Sequence, residues 1–401
     1  MFLSLCILGR QPALGLAELE SLFGGDALQP IGSGAVLLTI EPATIPFAYL
    51  GGTIKFCKVL TQLPTTQWGE IQHFLETAVI EHARQLPEGK LKLGLSTYEL
   101  KVSPKQLIAS GLTLKKLLRA DGRSVRIVPN NETVLNSAQV LHNGLTAQLG
   151  WELIFVKHGT DTVIAQTIAV QDIDAYARRD QGRPKRDARV GMLPPKLAQM
   201  MVNLAAGGAP APVCHPKTGL DKTLLDPFCG SGVVLQEAAL MGYSVYGTDL
   251  DPRMVEYAKV NLDWLGEQIA HPPFSYHVET GDATNFLWPR PSDLLASEAY
   301  LGPPMSHLPA PDALKEIVQD TNLIIKKFLK NLAYQTERDY RLCLAVPAWQ
   351  TPKGFVHLPL IDQMSDLGYN RLSFVHAASE DLIYHREGQI VARELLILTR
   401  K

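Results

Sequence analysis

Cysteine is scarce: there are five in 401 residues, with no C-x-x-C pair and no regular spacing. That excludes a disulfide framework or a cysteine-based zinc module and suits a reducing compartment. Charge of one sign is missing too, because 38 Lys and Arg face 40 Asp and Glu for a net charge of −2. A uniformly basic surface is thereby excluded, and any nucleic-acid face must come from local clustering. No apolar run approaches the roughly 20 residues of a membrane-spanning helix. The opening MFLSLCILGR is apolar but has no basic start and breaks at Gly9-Arg10, so it reads as a first strand, not a leader. The expectation is a soluble, cytoplasmic protein. What the chain does have is 46% hydrophobic residues against 19% charged, enough for real cores. Its length calls for two or three domains of roughly 100–200 residues each.

Periodicity divides the chain. Phe2–Leu8 and Ala35–Ile40 read as strands and Gly15–Phe23 as a short helix. Glu70–Gln85 and Pro104–Leu118 carry apolar residues at helical spacing, and Leu135–Leu141 resembles another helix. Lys90–Thr97, Val125–Val128, Trp151–His158 and Thr162–Val170 read as strands, an α+β order. Asp172–Arg189 is rich in arginine and poor in apolar residues, so it reads as a linker or docking loop. Beyond it, strand and helix patterns alternate: strands near 223–225, 244–248, 274–278 and 341–346, helices near 193–204, 233–241, 252–265 and 312–332. Repeated βα units imply a parallel sheet, and the closing runs Arg371–His376 and Ala392–Leu398 suggest an antiparallel edge.

The sharpest feature is Asp226-Pro227-Phe228-Cys229-Gly230-Ser231-Gly232, directly after apolar Leu224-Leu225 and before a helix. Gly230 and Gly232 let backbone approach a ligand, and the carboxyl end of a strand is where an open α/β sheet forms its ligand crevice. Asp226 could receive a cationic amine or fix the loop. Asp249 ends the next strand, placed to accept ribose hydroxyls. Asp282 follows the third strand in Gly281-Asp282-Ala283-Thr284, where it could accept from an adenine amino group. Either acid alone would pass as a helix cap or loop residue, as Asp251 before Pro252 does; three at successive strand ends point to a nucleoside.

A nicotinamide dehydrogenase is the competitor. Its G-x-G-x-x-G turn carries no charge, because a pyrophosphate sits on the helix N-terminus. Here Asp226 and Phe228 occupy that approach. A carboxylate repels two phosphates but helps a sulfonium or an amino-acid group, so the turn favours S-adenosyl-methionine over NAD.

These residues carry a family resemblance. Asp226–Gly232, Asp249 and Gly281-Asp282 resemble motifs of class I S-adenosyl-methionine-dependent methyltransferases. Gly191-Met192-Leu193-Pro194-Pro195-Lys196-Leu197-Ala198-Gln199 is more specific and resembles the segment before the first motif in THUMP-domain tRNA guanine-N2-methyltransferases, which modify position 10 of tRNA. The stretch from Ile7 to Glu20 and Leu93–Lys101 are also similar to that family. The resemblance implies a ferredoxin-like region over 1–65, a THUMP RNA-binding domain over 66–170, a basic linker over 171–190 and a Rossmann-like catalytic domain over 191–401, with a mostly parallel seven-stranded sheet. It places S-adenosyl-methionine against Asp226, Phe228, Gly230, Gly232, Asp249, Asp282 and Met192, with Leu193 beside them. It gives tRNA as the partner, with no metal and no membrane.

One departure matters. The family has a D-P-P-Y-like tetrapeptide after the fourth strand, where a carboxylate and a backbone carbonyl accept the hydrogens of a poorly nucleophilic purine amine and an aromatic ring stacks on the base. The matching place reads Ser297-Glu298-Ala299-Tyr300-Leu301-Gly302-Pro303-Pro304. Three readings stay open: Glu298 and Tyr300 replace the acid and the ring; Tyr300 stacks while the amine, of this or a different base, is held otherwise; or the chain only binds RNA. A DNA amino-methyltransferase is the alternative within the same chemistry.

Charge points to the partner. From Lys90 to Arg126 six lysines and three arginines face only Glu99 and Asp121. Lys115, Lys116, Arg119, Arg123 and Arg126 crowd the end of one helix and the strand after it, a pattern that could hold an RNA backbone or form a solvated face. The arginines of 178–189 form a second basic strip. Cys229 reads as a small spacer, and His215, His271, His277 and His307 lack metal-ligand spacing.

Overall fold

A computed structural model describes residues 2–187, 192–208, 222–268, 274–290 and 292–401. Arg189, Gly191, His215 and His271, named above, lie outside the described residues. The chain falls into two compact units, the first made of residues 1–12, 26–48 and 53–174 and the second of 13–25, 49–52 and 175–401.

The first unit is built on β1 (Ser4–Leu8), with α1 (Pro12–Phe23) leaving it, then β2 (Leu28–Ile31), β3 (Ala35–Leu38), β4 (Thr53–Leu63), α2 (Trp68–Arg84), β5 (Leu91–Tyr98), α3 (Pro104–Ala120), β6 (Val125–Ile127), α4 (Ser137–His142), β7 (Gly150–His158) and β8 (Asp161–Val170). The eight strands form one sheet in the order β2-β3-β1-β4-β8-β7-β5-β6. Its pairs are antiparallel except β5 with β6 and β7, which follow the crossover helix α3. Pro104 and a Ser103–Gln106 capping box start α3, satisfying donors that a helix N-terminus leaves open. Leu107, Leu114 and Leu118 turn its apolar stripe onto Leu93, Trp151 and Phe155.

Strand β4, the longest in that sheet, is not evident from sequence, because Lys55 and Lys58 interrupt its apolar run. Lys55 is 1% exposed. Its ammonium donates to Glu152 and to the Leu135 carbonyl, while Ser96 and Thr167 donate to the same carboxylate, so the buried charge is paired and hydrogen-bonded.

The second unit holds α5 (Ile173–Gln181), α6 (Pro195–Ala206), β9 (Thr223–Asp226), α7 (Val233–Leu240), β10 (Ser244–Asp249), α8 (Pro252–Gln268), β11 (Tyr276–Thr280), β12 (Leu294–Glu298), α9 (Pro311–Ala333), β13 (Arg341–Thr351), β14 (Gly354–Val356), β15 (Tyr369–Arg371), β16 (Ile383–Tyr384) and β17 (Val391–Arg400). Its main path runs β11-β10-β9-β12-β13-β17-β15, seven strands, parallel from β11 to β13 and antiparallel where β17 enters. This is the Rossmann-like order expected, with strand direction switching near the edge. Helices α6, α7 and α8 bury one face of the sheet and α9 the other. The α1 segment belongs to this unit: Leu14 and Ala17 join its core, and the buried Glu18 accepts from the Gly51 and Gly52 N–H groups and from Asn203.

Two expectations need correction. Part of the stretch read as a loop, Asp172–Arg189, is helix α5, because Tyr176 is buried with its hydroxyl on Gln199 and Arg179 pairs with the buried Glu237. The second basic strip is thereby partly consumed, since Arg183 is also only 2% exposed. The edge strand lies at Tyr369–Arg371, not Arg371–His376. The N–H groups of Val375 and His376 bond the Glu20 carboxylate at 2.5 and 2.9 Å instead of a strand ladder.

Candidate active site

Strand β9 delivers Asp226 to the sheet's carboxyl edge, where its side chain is 1% exposed. The carboxylate accepts from the Phe228 N–H at 3.3 Å and from Ser297 Oγ, at the end of neighbouring β12, at 2.6 Å. The turn that follows needs its glycines: φ is +48° at Gly230 and +85° at Gly232. A Cβ at Gly232 would also sit 3.2 Å from the Ala258 Cβ of α8, whereas Gly230 has open space. Asp249, ending β10, holds the turn, accepting from Gly230 N at 2.8 Å and from Asp251 N at 2.9 Å. Asp251 itself accepts from the Arg253 N–H at the start of α8.

Met192, Leu193, Asp226, Phe228, Gly230 and Glu298 line one cleft, together with Asp187 and Met254. The Phe228 ring is braced edge-on against Phe328 of α9, with centroids 5.1 Å apart. Six of the expected residues thus converge, with Asp249 hydrogen-bonded to the turn and Gly232 opening α7. Asp282 and Tyr300 are not among the lining residues. Asp282 closes its own turn through the Thr284 N–H and hydroxyl, and the Tyr300 side chain is 41% exposed.

The electrostatics are those of a site built for positive charge. Burial pushes the Asp226 carboxyl up to about 7, against the lowering effect of its Ser297 and Phe228 hydrogen bonds, and the charges of Asp249 and Glu298 raise it further. Burial also raises Asp249 and Glu298, the latter against the pull of Arg393. Three crowded carboxylates disfavour full ionisation, so a cationic ligand that also presents hydroxyls fits the acceptors present. Buried Cys229 has its thiol raised by burial and by these acids, in keeping with a spacer.

Sequence reasoning missed Ser297, Met254 and Arg393 as parts of this site. Ser297 was readable as the neighbour of Glu298, and Met254 as first-turn apolar after Asp251-Pro252. Arg393, whose guanidinium pairs with Glu298 from 95 residues away, leaves no local signal.

The basic cluster lies in the first unit. Lys115 is half-buried on α3, Lys116 and Arg119 are exposed there, and Arg126 is exposed on the edge strand β6. Arg123 is partly spent: it donates to the Pro87 carbonyl beside a depression crossed by the Arg84–Asp121 ion pair.

Residues 183–286, which span the turn and the first three strand ends, match the family model described as RMKL-like, methyltransferase domain. The chain is 42% identical over 92 residues to a tRNA (guanine(10)-N2)-dimethyltransferase of Pyrococcus abyssi, covering 23% of this chain and 22% of that protein. It is 46% identical over 76 residues to the protein of that name from Methanothermobacter thermautotrophicus, covering 19% of each. The chain thus spans about a fifth of the length of the curated relatives it matches. A solved structure of a possible methylase from Clostridium difficile 630 shares the fold at TM-score 0.50 and 12% identity, covering 100% of this chain and 98% of that one. The second unit has the Rossmann-like fold of class I methyltransferases.

Proposed function

We propose that this chain moves a methyl group from S-adenosyl-methionine to the exocyclic N2 of a guanosine in tRNA, at position 10. The observation that carries this reading is the convergence of Asp226, Asp249 and Glu298, at the ends of three adjacent parallel strands, around a glycine-rich turn. S-adenosyl-methionine supplies an electrophilic sulfonium methyl when bound. Asp226 would face its cationic end, Asp249 would take the ribose hydroxyls, and Met192, Leu193 and Phe228 would pack its apolar parts. Gly230 and Gly232 would let the turn close on it, and Asp282 would serve the adenine amine.

Glu298 accepts a hydrogen bond from the target amine, and Tyr300 stacks on the base. Holding the amine raises electron density on a nitrogen whose lone pair is otherwise spread into the purine. The first unit, read as ferredoxin-like and THUMP regions, grips the tRNA through Lys115, Lys116, Arg119, Arg123 and Arg126. No helix among the described residues is long and apolar enough to cross a membrane, and no group of His, Cys, Asp or Glu there has the make-up of a metal site.

The test is methyl transfer from labelled donor to unmodified tRNA, read as nucleosides by mass spectrometry. Label in N2-methylguanosine or its dimethyl form is expected, falling by about 100-fold in Glu298→Ala and at least tenfold in Tyr300→Ala, the scale of losing one transition-state contact. Label only in DNA amines would favour the alternative amino-methyltransferase, and calorimetry silent for the donor would leave an RNA binder.

A further inference from the structure

Glu298 does not sit in its cleft unaccompanied. It ends β12, which pairs in parallel with β13 so that Glu298 lies opposite Ala345. On the other side of β13 runs antiparallel β17, where Arg393 lies opposite Pro347. The Arg393 guanidinium reaches past the intervening strand, and its Nε donates to Glu298 Oε1. The two side chains are 6% and 19% exposed. Among the described residues, Arg393 is the one cation paired with Glu298, and no donor reaches Oε2.

The other charged side chains that line this cleft among the described residues are acids, Asp226 on adjacent β9 and Asp187, the latter paired with Arg253, and the Glu298 and Asp249 charges both bear on Asp226. A carboxylate withdrawn from water among acids takes up a proton unless a cation opposes it, and a protonated Glu298 is a poor acceptor for an amine hydrogen. A guanidinium also fixes geometry as well as charge, being planar and always protonated.

We infer that Arg393 is a positioning residue, one that anchors Glu298 by Oε1 and keeps it ionised, so that Oε2 is free to take a hydrogen from the substrate's amine. This rests on the proposed methyl transfer for its consequence, but the ion pair can be tested without it. Glutamate carboxyl carbons are labelled with 13C in the full chain, and the Glu298 resonance is assigned by its loss in Glu298→Gln. In Arg393→Met the Glu298 titration should move to higher pH by at least one unit, with Arg393→Lys in between. Calorimetric affinity for S-adenosyl-methionine should stay within about threefold, and kcat for methyl transfer should fall at least tenfold at pH 7 with its acid limb displaced upward. An unmoved Glu298 titration in folded Arg393→Met or Arg393→Lys overturns the inference whether or not the chain methylates RNA. A moved titration in a wild-type chain that labels no tRNA leaves the pairing intact and removes the proposed function instead. Lower activity with an unmoved acid limb would mark Arg393 as merely structural.

Discussion

Asp226 ends β9 and Ser297 lies one residue before the end of the adjacent parallel β12, and the serine hydroxyl donates to the carboxylate at 2.6 Å. The bond selects the ionised form of an acid that burial otherwise drives toward neutrality. Ser297→Ala removes it without opening a large cavity. The expected result is a further rise in the Asp226 pKa and a loss of about tenfold in donor affinity at pH 7, shrinking above pH 8 where the carboxyl ionises regardless. Calorimetric titration across pH 6–9 reads both; an equal loss at every pH would mean that Ser297 acts only by packing.

Because Asp226 titrates near 7 in the folded chain, well above a free carboxyl, its ionisation is coupled to both folding and binding. The raised pKa means that the folded state binds the extra proton, so stability is fully present below about pH 4 for this group and falls as pH rises through 7. Asp226→Asn should flatten that decline, a difference on the order of a few kcal/mol at pH 8 before relaxation and water entry are counted. A cationic ligand acts oppositely, stabilising the carboxylate. Binding S-adenosyl-methionine at pH 6.5 should therefore release protons, seen as a calorimetric heat that varies with buffer ionisation enthalpy. No buffer dependence in the wild type would contradict a buried, half-protonated Asp226.

The two glycines of the turn make different demands. Gly232 combines φ of +85° with Ala258 at van der Waals limit, while Gly230 has φ of +48° and open space. Asparagine tolerates the left-handed region, so Gly230→Asn should cost under about 1 kcal/mol in folding. Gly232→Val should cost at least 2 kcal/mol and abolish measurable donor binding, from strain and from pushing α7 off α8. Denaturant melts of the two variants decide it; equal costs would show that the turn is held by something other than backbone conformation.

Legibility followed locality. Asp226, Phe228, Gly230 and the strand ends were readable because strand, turn and helix are consecutive in the chain, and the period changes where the chemistry begins. The parallel order of β9 to β13 was readable for the same reason. Strand β4 was hidden because Lys55 looks like a surface residue until Glu152, nearly a hundred positions later, neutralises it. Helix α5 was hidden because Arg179 looks solvated until the buried Glu237, 58 positions later, takes it in. In each case a long-range partner reversed the meaning of a charge, and Arg393 beside Glu298 repeats the pattern inside the site.

The basic face of the first unit supplies the last test. Lys116 and Arg119 are exposed on α3, with Lys115 half-buried beside them, and no carboxylate among the described residues forms an ion pair with any of the three. Each phosphate contact they make releases counterions, lowering the slope of log K against log salt by roughly 0.7–0.9. Replacing all three with glutamine should weaken tRNA binding by about tenfold or more at 100 mM salt and flatten the slope by about two to three. Arg123→Gln should do much less, because its guanidinium is tied to the Pro87 carbonyl. S-adenosyl-methionine affinity should not change in either variant. If the triple variant binds tRNA with the wild-type slope, these cations are a solvated face and the RNA is held elsewhere.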